Sequence, residues 1–174
     1  MRYLLPIFFY LFLSNSLLGQ TVNSTLPVKN QQIIDTVLKY GPSISPTYQK
    51  AVCTELVIRI IEKFHRLNKQ DKKRIRIITN DDIKTLMAKN SPVPKGVYYA
   101  LTANDMGTAI DSLYHVLPGD FVQFWNDTWG HCGIIKQINI SNKTMDLYSS
   151  FPSTNGYGIQ RFAIPDYCYF VRFK

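Results

Sequence analysis

Apolar positions along the chain change their period near its middle, from the spacing of helices to that of strands. Val52, Leu56, Val57, Ile60, Ile61, Phe64 and Leu67 follow one another at intervals of 4, 1, 3, 1, 3 and 3 residues, which predicts one buried face of a helix over 52–67. Glu55 in its first turn and His65 and Arg66 in its last suit the helix dipole, and Cys53 falls in the opening turn. A β-branched run, Ile75–Thr79, precedes a second predicted helix from Asp81 to Lys89 with Asn80 as its cap. Ser91-Pro92-Val93-Pro94 then breaks the chain. Residues 95–116 read as helix with an exposed loop around Asn104–Gly107. Beyond them come short β-rich runs, Asp120–Trp125, Gly133–Asn139, Thr144–Ser149 and Cys168–Phe173, separated by turn-forming residues. Helices first and consecutive strands afterwards predict an α+β domain with an antiparallel sheet.

The front of the chain follows a different pattern. Arg2 precedes an apolar run of about ten residues that ends at Ser14-Asn15-Ser16, with Gly19 shortly after, the layout of a secretory signal peptide over residues 1–19. The run stops short of the ~20 residues that span a bilayer, and no later segment is long and apolar enough, so no stable membrane insertion is expected. The mature chain is expected to be secreted or periplasmic. Residues 20–47 are polar and bounded by prolines, and read as a lead-in segment with a short helix around Gln31–Tyr40. Residues 48–174 then form the domain.

With 174 residues, 45% of them apolar, the chain has the composition of a single globular domain and not of a disordered one. Its formal charge of +8 favours anionic partners. The segment Arg59–Arg76 holds 8 of the 20 basic residues with few aromatics between them, which reads as a solvated face. No nucleic-acid partner is expected, and the chain should act as a monomer.

Three cysteines, Cys53, Cys132 and Cys168, are an odd number for an oxidising compartment, so at least one thiol there is unpaired or paired between chains. Cys132 and Cys168 fit either a disulfide between neighbouring strands or two buried thiols. Cys53 stands where the free N–H groups and partial positive charge of a helix start favour the thiolate. His131 opens a strand after the loop Asn126–Gly130, and a thiolate paired with an imidazole is a nucleophile with its base. His65 and His115 read as ordinary surface residues. No Cys-x-x-Cys or His-x-x-x-His spacing supports a metal site. Trp129 and Tyr157, in glycine-flanked loops, are candidates for stacking on a substrate.

Taken together, Ala51-Val52-Cys53-Thr54-Glu55-Leu56-Val57, Pro118-Gly119-Asp120-Phe121-Val122-Gln123-Phe124-Trp125 and Gly130-His131-Cys132-Gly133-Ile134-Ile135 resemble the papain-like cysteine amidases and endopeptidases of bacterial cell walls, the NlpC-like and CHAP-like group. The resemblance covers roughly residues 48–174. It implies a papain-like fold, with the Cys-bearing helix packed on an antiparallel sheet. It also implies a Cys53 nucleophile, a His131 base, no cofactor, and hydrolysis of amide bonds in peptidoglycan. Val52-Cys53-Thr54-Glu55 departs from the Asp-Cys-Ser-Gly of the NlpC branch. The Cys53 backbone N–H, with Tyr48, is the expected oxyanion contact. A third residue that orients His131 is expected at Ser150, on the strand after His131, with Asn155 as the alternative. A secreted binding or inhibitor module that keeps this fold without turnover is the competing expectation, and a different amide substrate a further one.

Overall fold

The computed structural model describes residues 26–127 and 129–174. The expected signal peptide, residues 1–19, lies outside the described residues. Six strands form one antiparallel sheet: β1 (Gly107–Ile110), β2 (Phe121–Trp125), β3 (Gly130–Asn139), β4 (Thr144–Phe151), β5 (Gly156–Ala163) and β6 (Tyr167–Phe173), in the spatial order β1-β6-β2-β3-β4-β5. Strands β2 to β5 pair in sequence order, and β6 returns to lie between β1 and β2.

Helices pack on one face of this sheet. Leu56, Val57 and Ile60 of helix α2 (Cys53–Ile61) and Ile33 and Val37 of helix α1 (Val28–Ile44) share a cluster with Phe121, Cys132, Ile134 and Val171. The next residue along each strand points the other way. Val122, Ile135 and Phe170 accordingly join Phe124, Met145, Leu147 and Phe151 in a second cluster, covered by Leu113, Ile164 and Phe162. Burial on both faces explains why β2 and the first half of β3 read as apolar runs and not as alternating ones. Each fully buried Leu, Ile or Phe contributes about 1.5–3 kcal/mol.

The helical half is more broken than its apolar period predicts. Helix α2 stops at Ile61, where Lys63 and Phe64 turn their N–H groups to Ile60 and Ile61 in tighter, three-residue bonds. The charged stretch that follows forms helix α3 (Lys69–Ile75), started by a capping box in which Asn68 accepts from the Asp71 N–H and Asp71 from the Asn68 N–H. The β-branched run Ile75–Thr79 is not a strand, since Ile75 ends α3 and Ile77 has φ of 53°. Helix α4 (Ile83–Ala88) is capped by Asp82, not Asn80, through a 2.8 Å bond from the Thr85 N–H. Residues 95–116 divide into helix α5 (Gly96–Thr102), β1 and a short 3-10 turn at Leu113–His115. Of the expected lead-in, residues 28–44 are α1, whose fully buried Ile33 and Val37 belong to the domain core. No described helix is long and apolar enough to cross a membrane.

The Gly-Asp turn ahead of β2 ties these layers together. Asp120, fully buried, accepts two bonds from the Arg172 guanidinium at 2.8 Å, one from Asn30 of α1 at 2.8 Å and one from the Leu117 N–H at 2.7 Å. Gly119 makes the approach possible. Its φ is 88° and a Cβ there would lie 2.6 Å from the Asn30 carbonyl oxygen.

Candidate active site

Cys53 is the first residue of α2. Val52 before it is extended, and its carbonyl accepts from Glu55 and Leu56 at 3.0 Å. The N–H groups of Cys53 and Thr54 therefore have no partner within the helix. The chain enters this turn under tight control. Ser150 of β4 donates to the Ala51 carbonyl at 2.6 Å and accepts from Ser45 at 2.8 Å. Two buried hydroxyls thus fix the backbone two residues ahead of the thiol.

Four groups face the Cys53 sulfur. The Cys132 thiol is the largest influence holding the Cys53 thiol well below the ordinary range, against the opposing effect of burial. The neighbouring His131 ring and the Cys132 backbone N–H lower it further. The reciprocal influence of Cys53, together with complete burial, raises Cys132. Tyr48 is the fourth group. Burial and the charges of Cys53 and Cys132 raise its phenol, so it stays protonated as a hydrogen-bond donor.

Consecutive strand residues point to opposite faces, yet His131 and Cys132 both line the cavity on which Cys53 opens. The sheet allows this because the β3–β4 ladder stops at Ile134 and Tyr148, short of the ends of both strands. Cys132 turns toward α2, and its backbone N–H is free to reach Cys53. His131 lies on the other side, 7% exposed. Its ring stacks on Phe151 with centroids 4.9 Å apart and planes at 16°, flanked by Phe124, Phe162 and Trp129. Packing therefore fixes the plane of the imidazole. Its Nε2 is buried with no hydrogen-bond partner among the described residues.

Cys53, His131 and Cys132 open on one cavity of about 280 Å3, bounded also by Thr54, Arg76, Asp81, Gln123 and Trp125. Arg76 is held by Glu55 at 2.7 Å, and Glu55 also accepts from Arg59 at 3.0 Å. Burial would raise the Glu55 carboxyl, but Arg76 and Arg59 together hold it below its usual value. Gln123 is the residue that the sequence reading passes over. It is 2% exposed and sits opposite Cys132 in the β2–β3 register. Its Nε2 donates to the Phe124 carbonyl at 3.3 Å, which fixes the amide orientation and leaves Oε1 with no partner among the described residues. Gly96, with φ of 45°, makes room for it, because a Cβ there would stand 2.4 Å from Oε1. The signal available in the sequence is one polar residue inside the apolar run Phe121-Val122-Gln123-Phe124-Trp125.

The remaining expected site residues are not assembled as the sequence reading has them. Ser150 does not orient His131. Its hydroxyl is committed to Ala51 and Ser45, while the side chain against the imidazole is that of the next residue, Phe151. Asn155 is exposed at φ of 47° in the β4–β5 turn, where its N–H bonds the Pro152 carbonyl at 3.0 Å. Tyr157 does not line the cavity, since its ring packs on Gly41 of α1. Trp129, 41% exposed, does not line the cavity and stands edge-on to Phe124 and His131. Cys53, Cys132 and Cys168 are all free thiols, and Cys168 packs on the opposite-face cluster. Among the described residues no group of His, Cys, Asp and Glu gathers as a metal site requires.

Comparison with protein-family models and with curated proteins finds no match for this chain.

Proposed function

We propose that the chain is an exported cysteine hydrolase with a papain-like arrangement, which cleaves an amide bond in peptidoglycan. The observation that carries the catalytic part is Cys53 at a helix start, its thiol held well below the ordinary range, on a cavity that His131 also lines. The substrate class and export rest on the resemblance of the Cys53, Asp120 and His131 segments to cell-wall amidases and on the leader-like residues 1–19.

In this reading the Cys53 thiolate attacks the scissile carbonyl carbon, forming a C–S bond and moving the π electrons to oxygen. The Cys53 backbone N–H and the Tyr48 hydroxyl donate to that oxyanion. His131 gives its proton to the leaving nitrogen as the C–N bond breaks, leaving a thioester. It then takes a proton from water, whose oxygen attacks the thioester carbonyl, and the thiolate departs.

Purified peptidoglycan incubated with the wild type should release fragments bearing new amino and carboxyl ends, identified by mass spectrometry. Cys53→Ala and His131→Ala should each remove nearly all of this release while keeping the circular-dichroism spectrum, because the two groups act as one unit. Release by Cys53→Ala would overturn the mechanism. Binding of the wild type to peptidoglycan without release would point instead to a non-catalytic module.

A further inference from the structure

Cys53 and Cys132 come from opposite halves of the chain, yet they line the same cavity and share one core cluster. Their accessibilities are unequal. Cys53 is 9% exposed and at the cavity, whereas Cys132 is 0% exposed and set behind it in the core cluster with Leu56 and Ile134. Cys168 belongs to the cluster on the other face of the sheet. A small oxidant entering the cavity therefore meets Cys53 first, and the thiol in contact with the product is that of Cys132.

We propose that Cys53 and Cys132 form an oxidisable dithiol, in which a peroxide oxidises Cys53 and Cys132 resolves the product as an intramolecular disulfide that closes the site reversibly. In the first step the Cys53 thiolate attacks one oxygen of hydrogen peroxide. The O–O bond breaks, hydroxide leaves, and the sulfur, oxidised by two electrons, becomes a sulfenic acid. In the second, the Cys132 sulfur attacks the Cys53 sulfur as the S–O bond breaks. The Cys132 proton leaves with the hydroxide as water. An external dithiol reverses the sequence, its own two sulfurs taking up the oxidation.

The surroundings suit both steps. The His131 ring, the Cys132 thiol and the Cys132 N–H all support negative charge on Cys53, which makes it the oxidisable sulfur. Bringing the two sulfurs to the bonded distance of about 2.05 Å moves the first residue of a helix, next to the exposed Val52. The inference stands on the thiol pair, and only its effect on turnover rests on the hydrolase reading.

The test is peroxide treatment of the full chain, followed by alkylation and peptide mapping. A Cys53–Cys132 linked peptide is expected, together with recovery of alkylatable Cys53 after dithiothreitol. In Cys132→Ala, and in Cys132→Ser as a second variant that keeps a polar atom at the site, recovery should fall at least about tenfold as Cys53 proceeds to sulfinic and sulfonic acids. A wild type that goes directly to those acids, or that links Cys53 to Cys168, would overturn the proposal. Because the mapping needs no turnover, a linked peptide in a chain that releases nothing from peptidoglycan would refute the hydrolase reading and leave the dithiol standing.

Discussion

The Cys132 thiol is the strongest of the influences that lower the Cys53 thiol, ahead of the His131 ring. Cys132→Ala should therefore slow alkylation of Cys53 by a small haloacetamide mainly below pH ~8.5, the range of a free thiol. Cys132→Ser, which retains an O–H donor, should restore most of the rate. Equal rates in all three proteins at low pH would remove Cys132 from the thiolate's support. Gln123 makes a different contribution, since its unpartnered Oε1 beside the cavity is an acceptor awaiting an N–H. Gln123→Leu should leave Cys53 alkylation intact but lower kcat/KM on peptidoglycan fragments by roughly tenfold or more, about 1.4 kcal/mol for each factor of ten. An unchanged kcat/KM would confine Gln123 to packing.

At the scale of elements, the start of α2 is placed by β4 and the start of β2 by α1 and β6. Ser150→Ala removes one of two hydroxyl donors to the Ala51 carbonyl, the other being Ser45 at 2.7 Å, so the carbonyl stays paired and the change should cost about 0.5–1.5 kcal/mol in urea unfolding. Its effect on turnover should be far smaller than that of His131→Ala, because no contact joins Ser150 to the imidazole. A Ser150→Ala protein that is as inactive as His131→Ala, yet fully stable, would restore Ser150 to the catalytic group. The Asp120 latch is the stiffer of the two attachments. Arg172→Met strands a fully buried carboxylate and should cost about 3–5 kcal/mol. A loss below about 1 kcal/mol by the same measurement would show that Asn30 and Leu117 suffice to hold Asp120.

Across the whole molecule, what could be read from the sequence is what repeats at a fixed period. The face Leu56, Val57, Ile60 and Ile61 identifies α2 and so places Cys53, and the apolar runs identify β2, β3, β4 and β6. Helix α1 is harder to read because only one narrow stripe, Ile33, Val37 and Gly41, is buried along with Asn30. Helix α3 is nearly all charged and rests on its capping box. Strand β5, with one half-exposed face at the sheet edge, carries too few apolar residues to announce itself. At the site, the expectation for Ser150 rests on strand parity, and a single residue decides whether a side chain meets Ala51 or His131. The end of β3 and β4, where the ladder stops and His131 and Cys132 line one cavity with Cys53, has no local sequence signature. The claim on which the rest depends is a thiolate at Cys53, and the alkylation rate of Cys53 in the wild type across pH measures it directly. The rate should hold its plateau well below pH ~8.5 and fall only under distinctly acid conditions, with the inflection moving upward in His131→Ala. An inflection at or above the value of a free thiol, unchanged in His131→Ala, would contradict it.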